Sequence, residues 1–123
     1  MSVTHLKKVQ VSLLLCEKIN QKTAKTFIKF LAKALDMQIV FLKAFSLPSR
    51  FDVLAIVKES HIYLGYWPEV NLVQLEVFSC KNFEEDKIHA IARGFFLIEA
   101  MKIEVIKDKS VFEEIKDLCP TTP

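Results

Sequence analysis

The sequence predicts an α+β protein, a two-layer sandwich in which two helices cover one face of a mainly antiparallel sheet. Strand-like segments outnumber helix-like segments, and each of the two main helical segments carries one apolar stripe. Hydrophobic residues make up 51% of the 123 residues, including ten Phe, so we expect a buried core rather than disorder. The length and the lack of a linker predict a single domain over residues 1–123.

The first half of the chain predicts a strand, a helix and a second strand. Lys8–Leu15 alternates partly between apolar and polar residues, as a strand does. Asn20 can cap a helix that runs to about Leu35, with apolar residues at helical spacing. Met37–Phe45 is β-branched and aromatic, which predicts a strand, and the Pro48 segment ends it.

The second half predicts three strands, a helix and a final strand. The three strands are Phe51–Lys58, His61–Trp67 and Asn71–Cys80. Asn82 and Glu85 resemble a capping box that begins the second helix, whose apolar side we extend to Glu99. Lys102–Ile106 predicts the last strand and Val111–Leu118 a short terminal helix.

Charge and composition argue against several classes of function. The formal net charge is only +2, and one group of basic residues follows helical spacing: Lys22, Lys25, Lys29 and Lys33. We interpret them as a solvated helix face and expect no nucleic-acid partner. No apolar run is long enough to cross a membrane, and Met1–Lys8 lacks the apolar middle region of a signal peptide. We therefore expect a cytoplasmic protein with no membrane partner.

The cysteines indicate free thiols rather than disulfides or a metal site. There are three of them, Cys16, Cys80 and Cys119. An odd number without a secretory signal is typical of a reducing compartment. No pair has the spacing of zinc ligands, so we expect no metal.

One segment carries a more specific pattern. It reads Glu-Ser-His at residues 59–61 and Trp-Pro-Glu at residues 67–69, and the next strand ends in Phe-Ser-Cys at residues 78–80. This pattern resembles the core of the small prokaryotic S-adenosylmethionine decarboxylases, with the same spacing from serine to tryptophan to cysteine. Each residue alone has an ordinary interpretation in a strand or core, and a lone cysteine is most often a small buried hydrophobe. The joint register favours the family.

The resemblance implies a self-cleaving precursor. The Ser60 hydroxyl attacks the carbonyl of Glu59, the amide becomes an ester, and loss of the Ser60 Cα proton divides the chain between the two residues. Ser60 would become a pyruvoyl group, the electron sink when carbon dioxide leaves the substrate. The implied substrate is S-adenosylmethionine, and the implied pathway is polyamine (spermidine) biosynthesis.

The resemblance also suggests substrate residues and a partner. Cys80 stands at the position of the family's proton donor, and a thiol suits that role. Glu69 matches the residue that holds the ribose hydroxyls, and Trp67 matches an aromatic wall beside it. Phe45 is our candidate for stacking on the adenine. We expect Ser60, Cys80 and Glu69 to share one pocket, and we expect a homodimer or a pairing with an active relative.

Two positions depart from the family pattern, and both concern maturation. Gly65 stands where the family has the histidine that removes the Ser60 Cα proton, and glycine has no side chain to act as a base. Asp52 stands where the family has a serine that assists processing. His61, Tyr63, Asp52 or a side chain from a partner subunit are the candidates for a substitute base.

Three hypotheses follow. In the first, the chain matures with a substitute base and is a pyruvoyl-dependent decarboxylase. In the second, it never cleaves and acts as a nucleoside-binding or regulatory partner of an active relative. Losing a base slows a reaction by about 10²–10⁴, and maturation needs one turnover, so both stay open. The third is decarboxylation of another amine such as arginine, against which Glu69 argues because it suits a ribose.

Overall fold

The computed structural model describes residues 6–107, which form an antiparallel sheet and two helices. The elements are β1 (Lys7–Leu15), α1 (Gln21–Ala34), β2 (Ile39–Ser46), β3 (Phe51–Val57), β4 (Ser60–Trp67), β5 (Leu72–Ser79), α2 (Glu85–Phe95) and β6 (Ile98–Lys107). The six strands lie in the order β2-β3-β4-β5-β1-β6, and every neighbouring pair is antiparallel. The predicted α+β class is therefore confirmed. No helix within residues 6–107 is long and apolar enough to cross a membrane.

The sheet has two unlike faces because side chains alternate along each strand. The inner face packs against the helices, and one row of its paired residues is Val53, Leu64, Leu75 and Val11. These four are at most 2% exposed. The outer face carries the residues between them, and among the described residues no helix covers it. This outer face holds most of the polar side chains that bear on function.

Helix α1 begins as the sequence predicts. The Asn20 side chain accepts a hydrogen bond from the backbone N–H of Thr23 at 2.8 Å, so it caps the first turn. The helix ends at Ala34, and Asp36 takes the left-handed conformation, with a φ of 57°. Phe27, Ile28 and Leu31 are fully buried against the sheet and α2.

The capping box predicted at the start of the second helix was wrong. Glu84 is the N-cap of α2, without a side-chain capping bond, and Asn82 takes no part. Glu85 instead pairs with the buried ammonium group of Lys7 at 2.8 Å, and this group also donates to the carbonyl of Phe83. The carboxylate that the capping-box pattern assigned to the helix backbone therefore joins α2 to β1.

The predicted end of that helix was also wrong. The helix stops at Phe95, and Phe96 is extended. Pairing with β1 extends the last strand to Ile98–Lys107, so Glu99 is a strand residue, and the predicted Lys102–Ile106 is only part of β6. The ladder with β1 thus overrides the helical apolar spacing. The predicted helix Val111–Leu118 lies outside the described residues.

Candidate functional site

The turn between β3 and β4 carries the predicted cleavage bond. Val57 and Ser60 are paired at the ends of the two strands, so Lys58 and Glu59 form a two-residue turn. Cys80 comes directly after β5, and its backbone N–H donates to the Glu59 carbonyl oxygen at 3.2 Å. The fold therefore brings Glu59, Ser60 and Cys80 together at one end of the sheet.

The Glu59 carbonyl has a hydrogen-bond donor where a tetrahedral intermediate would develop negative charge. A backbone N–H aimed at such an oxygen stabilises the charged state, as in an oxyanion hole. The Glu59 side chain is less well satisfied, because its Oε1 atom is buried without a hydrogen-bond partner within residues 6–107. A buried oxygen without a partner destabilises its surroundings by about 1–3 kcal/mol.

Ser60 contacts a histidine that is itself held in place. The Ser60 Oγ atom lies 3.3 Å from Nδ1 of His61, and Nε2 of the same ring lies 2.8 Å from Oε2 of Glu76. The ring also stacks on Phe78, with centroids 5.5 Å apart and planes 12° from parallel. A hydroxyl, an imidazole and a carboxylate in series are the elements of an activated nucleophile.

Glu76 is the charged member of this series. Partial burial by itself raises the pKa of Glu76, but the hydrogen bond with His61 and the nearby charge of Lys8 outweigh it, so the pKa is lowered. The Lys8 Nζ atom lies 3.4 Å from the other carboxylate oxygen. Glu76 is thus an anion at neutral pH and an acceptor for an imidazole N–H.

Tyr63 and Asp52, the other two residues considered as substitute bases, are bound to each other. The Tyr63 hydroxyl donates a hydrogen bond to the Asp52 carboxylate at 3.0 Å. Arg50 donates two more to the same carboxylate, from Nε at 2.9 Å and from Nη2 at 3.3 Å. Burial and then the hydrogen bond to Asp52 raise the pKa of Tyr63, so its hydroxyl keeps its proton. Both groups are therefore poorly suited to accept a proton.

The space beside Gly65 is filled by its neighbours. A Cβ atom at this position would lie 2.5 Å from the Tyr63 hydroxyl oxygen and 3.0 Å and 3.1 Å from two ring atoms of Trp67. Arg50 lies over the same Trp67 ring, 5.4 Å from its centroid. Tyr63 and Trp67 thus occupy the volume that a side chain at position 65 would need. Asp52 contacts Tyr63 and Arg50 contacts Trp67, and we call these four residues the Gly65 cover.

The predicted substrate residues lie away from Ser60. Trp67 ends β4, seven residues from Ser60, which is roughly 23 Å at the rise of a strand. Glu69 lines a cavity of about 480 Å³ together with residues 46–51 at the β2–β3 turn. Phe45 is paired with Asp52 on the outer face and is 39% exposed, with the Lys43 ammonium 5.1 Å from its ring centroid. Within one chain, the expected pocket shared by Ser60, Cys80 and Glu69 is therefore absent from the described residues.

Sequence reasoning missed Arg50 and Glu76. Arg50 directly precedes β3 and stands two residues before Asp52, so its side chain reaches the same side of the chain, a spacing that the sequence does show. Glu76 lies fifteen residues from His61 along the chain, and only the β4–β5 register brings them together. The pairing of the strands was the missing information.

The described cysteines are both free, Cys16 exposed and Cys80 partly buried. Cys119 lies outside the described residues. Within residues 6–107, no group of three or more His, Cys, Asp or Glu side chains is placed to hold a metal ion.

Comparison with solved structures supports the fold. The chain resembles the crystal structure of the adenosylmethionine decarboxylase from Aquifex aeolicus, with a TM-score of 0.68. The similarity covers 83% of this chain and 88% of that chain at 15% sequence identity. At this identity the likeness shows a shared fold.

Sequence comparison is more specific. The chain is 36% identical over 86 residues to the S-adenosylmethionine decarboxylase proenzyme of Clostridium botulinum (strain Langeland), covering 67% of this chain and 73% of that protein. The proenzyme of Sulfolobus acidocaldarius is 32% identical over 67 residues, 54% of this chain and 55% of its own length. The model of the family described as S-adenosylmethionine decarboxylase matches residues 7–109. The chain therefore belongs to the S-adenosylmethionine decarboxylase family.

Proposed function

We propose that this chain is the precursor of a pyruvoyl-dependent S-adenosylmethionine decarboxylase and cleaves itself between Glu59 and Ser60. One observation carries the proposal. The Ser60 hydroxyl contacts the imidazole of His61 at 3.3 Å, and the adjoining Glu59 carbonyl accepts the backbone N–H of Cys80 at 3.2 Å. A nucleophile, a base and a stabilised carbonyl thus meet at the peptide bond that is to break.

The first step is a shift of the Glu59 acyl group from nitrogen to oxygen. The Ser60 hydroxyl proton moves to His61 Nδ1 as Oγ bonds to the Glu59 carbonyl carbon, and the Cys80 N–H stabilises the resulting oxyanion. When the carbon–nitrogen bond breaks, the proton passes from His61 to the Ser60 nitrogen. The product is an ester with a free amine, and no further reactant is consumed.

In the second step a base takes the Ser60 Cα proton as the Cβ–Oγ bond breaks, and we assign this role to His61, which is neutral again after the first step and contacts Ser60. Glu59 leaves as a new carboxylate terminus, and the remaining dehydroalanine takes up water and releases ammonia to give the pyruvoyl group. Ser60 is the precursor of this group, so the residues present fit it. Once formed, the group supplies an electron-accepting carbonyl for decarboxylation, and we assign the return of a proton to the thiol of Cys80.

A second copy of the chain completes the proposed site. Trp67 lies roughly 23 Å from Ser60 in one chain, judged from the rise of β4, and Glu69 follows it by two residues. This is too far for both ends to contact one S-adenosylmethionine. The outer face exposes several large apolar side chains, among them Phe41, Phe45 and Ile56. A homodimer that places the Trp67 end of one chain beside the Ser60 end of the other would bury them and assemble the site. Spermidine synthesis remains the proposed pathway.

The Gly65 cover favours the alternative, a non-cleaving paralogue. The candidate bases Tyr63 and Asp52 are hydrogen-bonded to each other, and the volume above Gly65 is occupied. Such a chain would keep Glu69 and Trp67 for a nucleoside and would regulate an active relative. Its signature is an intact chain whose melting temperature rises with S-adenosylmethionine.

Mass spectrometry under denaturing conditions tests the proposal. We expect purified protein to give two fragments, residues 1–59 and residues 60–123, the second with the mass of a pyruvoyl terminus. The Ser60→Ala chain, which lacks the hydroxyl, should remain intact and serves as the control. A wild-type chain that stays at 14.2 kDa through prolonged incubation contradicts the proposal and supports the alternative.

A further inference from the structure

We propose that Glu76 is a positioning residue for maturation: its carboxylate holds His61 in the tautomer whose Nδ1 atom accepts the Ser60 hydroxyl proton. The inference rests on the proposed self-cleavage and adds a residue to it. Glu76 touches neither Ser60 nor the bond to be broken, and it acts through His61 alone.

The hydrogen bond determines which imidazole nitrogen carries the proton. Glu76 Oε2 lies 2.8 Å from Nε2, and a carboxylate can only accept, so Nε2 must be protonated. In a neutral imidazole the other nitrogen then has a free lone pair. That nitrogen, Nδ1, lies 3.3 Å from Ser60 Oγ. The required tautomer is thus the one that Glu76 selects.

The ring is also held in its plane. His61 stacks on Phe78, its direct partner across the β4–β5 ladder, and Glu76 lies two residues before Phe78 on the same face. Glu76 is itself fixed from the other side by Lys8 of β1, 3.4 Å from Oε1. The lysine, the carboxylate and the imidazole form a line across three adjacent strands.

No other charged side chain lies in the row of paired residues that continues from His61 onto β3 and β2. On β3 the partner of His61 is Ile56, and on β2 the next residue in the row is Phe41, so both neighbours on that side are apolar. Tyr63, the direct partner of Glu76 on β4, donates its hydroxyl to Asp52 instead. Glu76 of β5 is therefore the charged group that contacts His61, and Lys8 of β1 contacts Glu76 from its other side.

A merely structural ion pair would make a different prediction. It would add a little stability, typically up to about 1 kcal/mol at a partly exposed site, and would leave the tautomer and the chemistry unaffected. A positioning role predicts that the tautomer and the rate of the acyl shift change together when the carboxylate is replaced.

Nuclear magnetic resonance of ring-¹⁵N-labelled protein reads the tautomer directly, whether or not the chain cleaves. We expect neutral His61 in the Ser60→Ala chain, which cannot mature, to be protonated at Nε2. In Glu76→Gln the side-chain amide can donate as well as accept, so we expect a mixture of both tautomers. Glu104→Gln is the matched control, because Glu104 is a carboxylate of the same outer face that pairs with Lys102 at 3.2 Å.

Hydroxylamine, which cleaves esters but not amides at neutral pH, measures the acyl shift apart from the elimination. In the otherwise wild-type chain, Glu76→Gln should slow hydroxylamine cleavage between Glu59 and Ser60 about 10²–10⁴-fold, the range for a misplaced base. Glu104→Gln should cleave at the wild-type rate. Equal melting temperatures of the variants would show that folding is not the cause.

The two measurements separate the failure of each proposal. His61 protonated at Nδ1 in the Ser60→Ala chain, or a Glu76→Gln chain with unchanged tautomer and unchanged cleavage, overturns the role of Glu76. If the tautomer depends on Glu76 but no chain yields an ester or fragments, self-cleavage is the proposal that fails; the hold of Glu76 on the His61 tautomer is then shown, and its role in maturation is overturned.

Discussion

At the scale of single residues, the proposed maturation depends on which side chain can take a proton beside Ser60. His61 contacts the hydroxyl, whereas Tyr63 and Asp52 are engaged with each other and with Arg50. The contacts therefore support the proposed acyl shift better than the proposed elimination, for which the sequence resemblance implies a missing base at Gly65. The Gly65 cover also explains why a simple reversal of that replacement meets an obstacle.

A side chain at position 65 requires the Tyr63 hydroxyl to move away from its place beside Asp52. Gly65→His alone would bring its Cβ atom to 2.5 Å from the Tyr63 hydroxyl, which Asp52 holds in place. We expect Gly65→His to leave cleavage no faster than wild type. Gly65→His combined with Tyr63→Ala should accelerate the appearance of the two fragments by up to about 10²–10⁴-fold, followed by mass spectrometry.

Tyr63→Ala alone is the control for this pair. It opens the same space and frees the Asp52 carboxylate from one donor without supplying an imidazole. If the double variant cleaves no faster than this control, an imidazole at position 65 does not replace the missing base. Adding Asp52→Ser then tests whether the upstream departure limits maturation.

At the scale of elements, two short connections position the site. The β3–β4 turn presents Glu59 and Ser60, and the end of β5 delivers the Cys80 N–H to the Glu59 carbonyl. Lys7 of β1 ties the start of α2, a few residues after Cys80, to the sheet through Glu85 and the Phe83 carbonyl. The anchoring of α2 by Lys7 therefore limits how far the Cys80 segment can shift from the turn.

Removing the Lys7 anchor should destabilise the protein. Lys7→Met keeps the packing volume but leaves the carbonyl of Phe83 without this donor, so we expect the free energy of unfolding to fall by about 1–3 kcal/mol in denaturant titrations. Lys102→Met on the neighbouring strand, where the ion pair is exposed, is the control and should change it by less than about 0.5 kcal/mol. Equal losses would show that burial of Lys7 is not the source of the stability.

At the scale of the whole molecule, one chain carries the two halves of the proposed site at opposite ends of β4. A chain with a substituted Ser60 keeps the half of the site that contains Glu69. A chain with a substituted Glu69 keeps the half that contains Ser60. Two different defective chains can then complement each other in a mixed dimer. Complementation is thus a direct measure of whether the site spans two copies.

Co-expression of Ser60→Ala and Glu69→Ala chains should recover decarboxylase activity. Half of the dimers are mixed and each has one complete site, so we expect about a quarter of the wild-type activity. Ser60→Ala with Cys80→Ala is the control, because both residues belong to the same half and no complete site can form. Activity in the control pair, or none in the first pair, would contradict a site built across two chains.

The sequence predicted the fold class and the boundaries of α1 because they depend on local patterns, such as the cap at Asn20 and the alternation in β1. The end of α2 was mispredicted because Phe95 and Glu99 continue a helical spacing that pairing with β1 interrupts. In the site, Glu59, Ser60 and Cys80 were predicted from the resemblance of their motif to that of the family. The contacts of Glu76 and of the Gly65 cover depend on which strands are neighbours, and local periodicity does not predict such long-range pairing.

The order of the strands has a consequence for the fate of the cut chain. Residues 1–59 supply β1, β2 and β3, and residues 60–123 supply β4, β5 and β6, yet β1 lies between β5 and β6. The pieces therefore interlock along three seams, β3–β4, β5–β1 and β1–β6. Cleavage at the β3–β4 turn would leave the two fragments associated in one folded unit, with a new N-terminus at Ser60. The fragments would separate only when the protein unfolds.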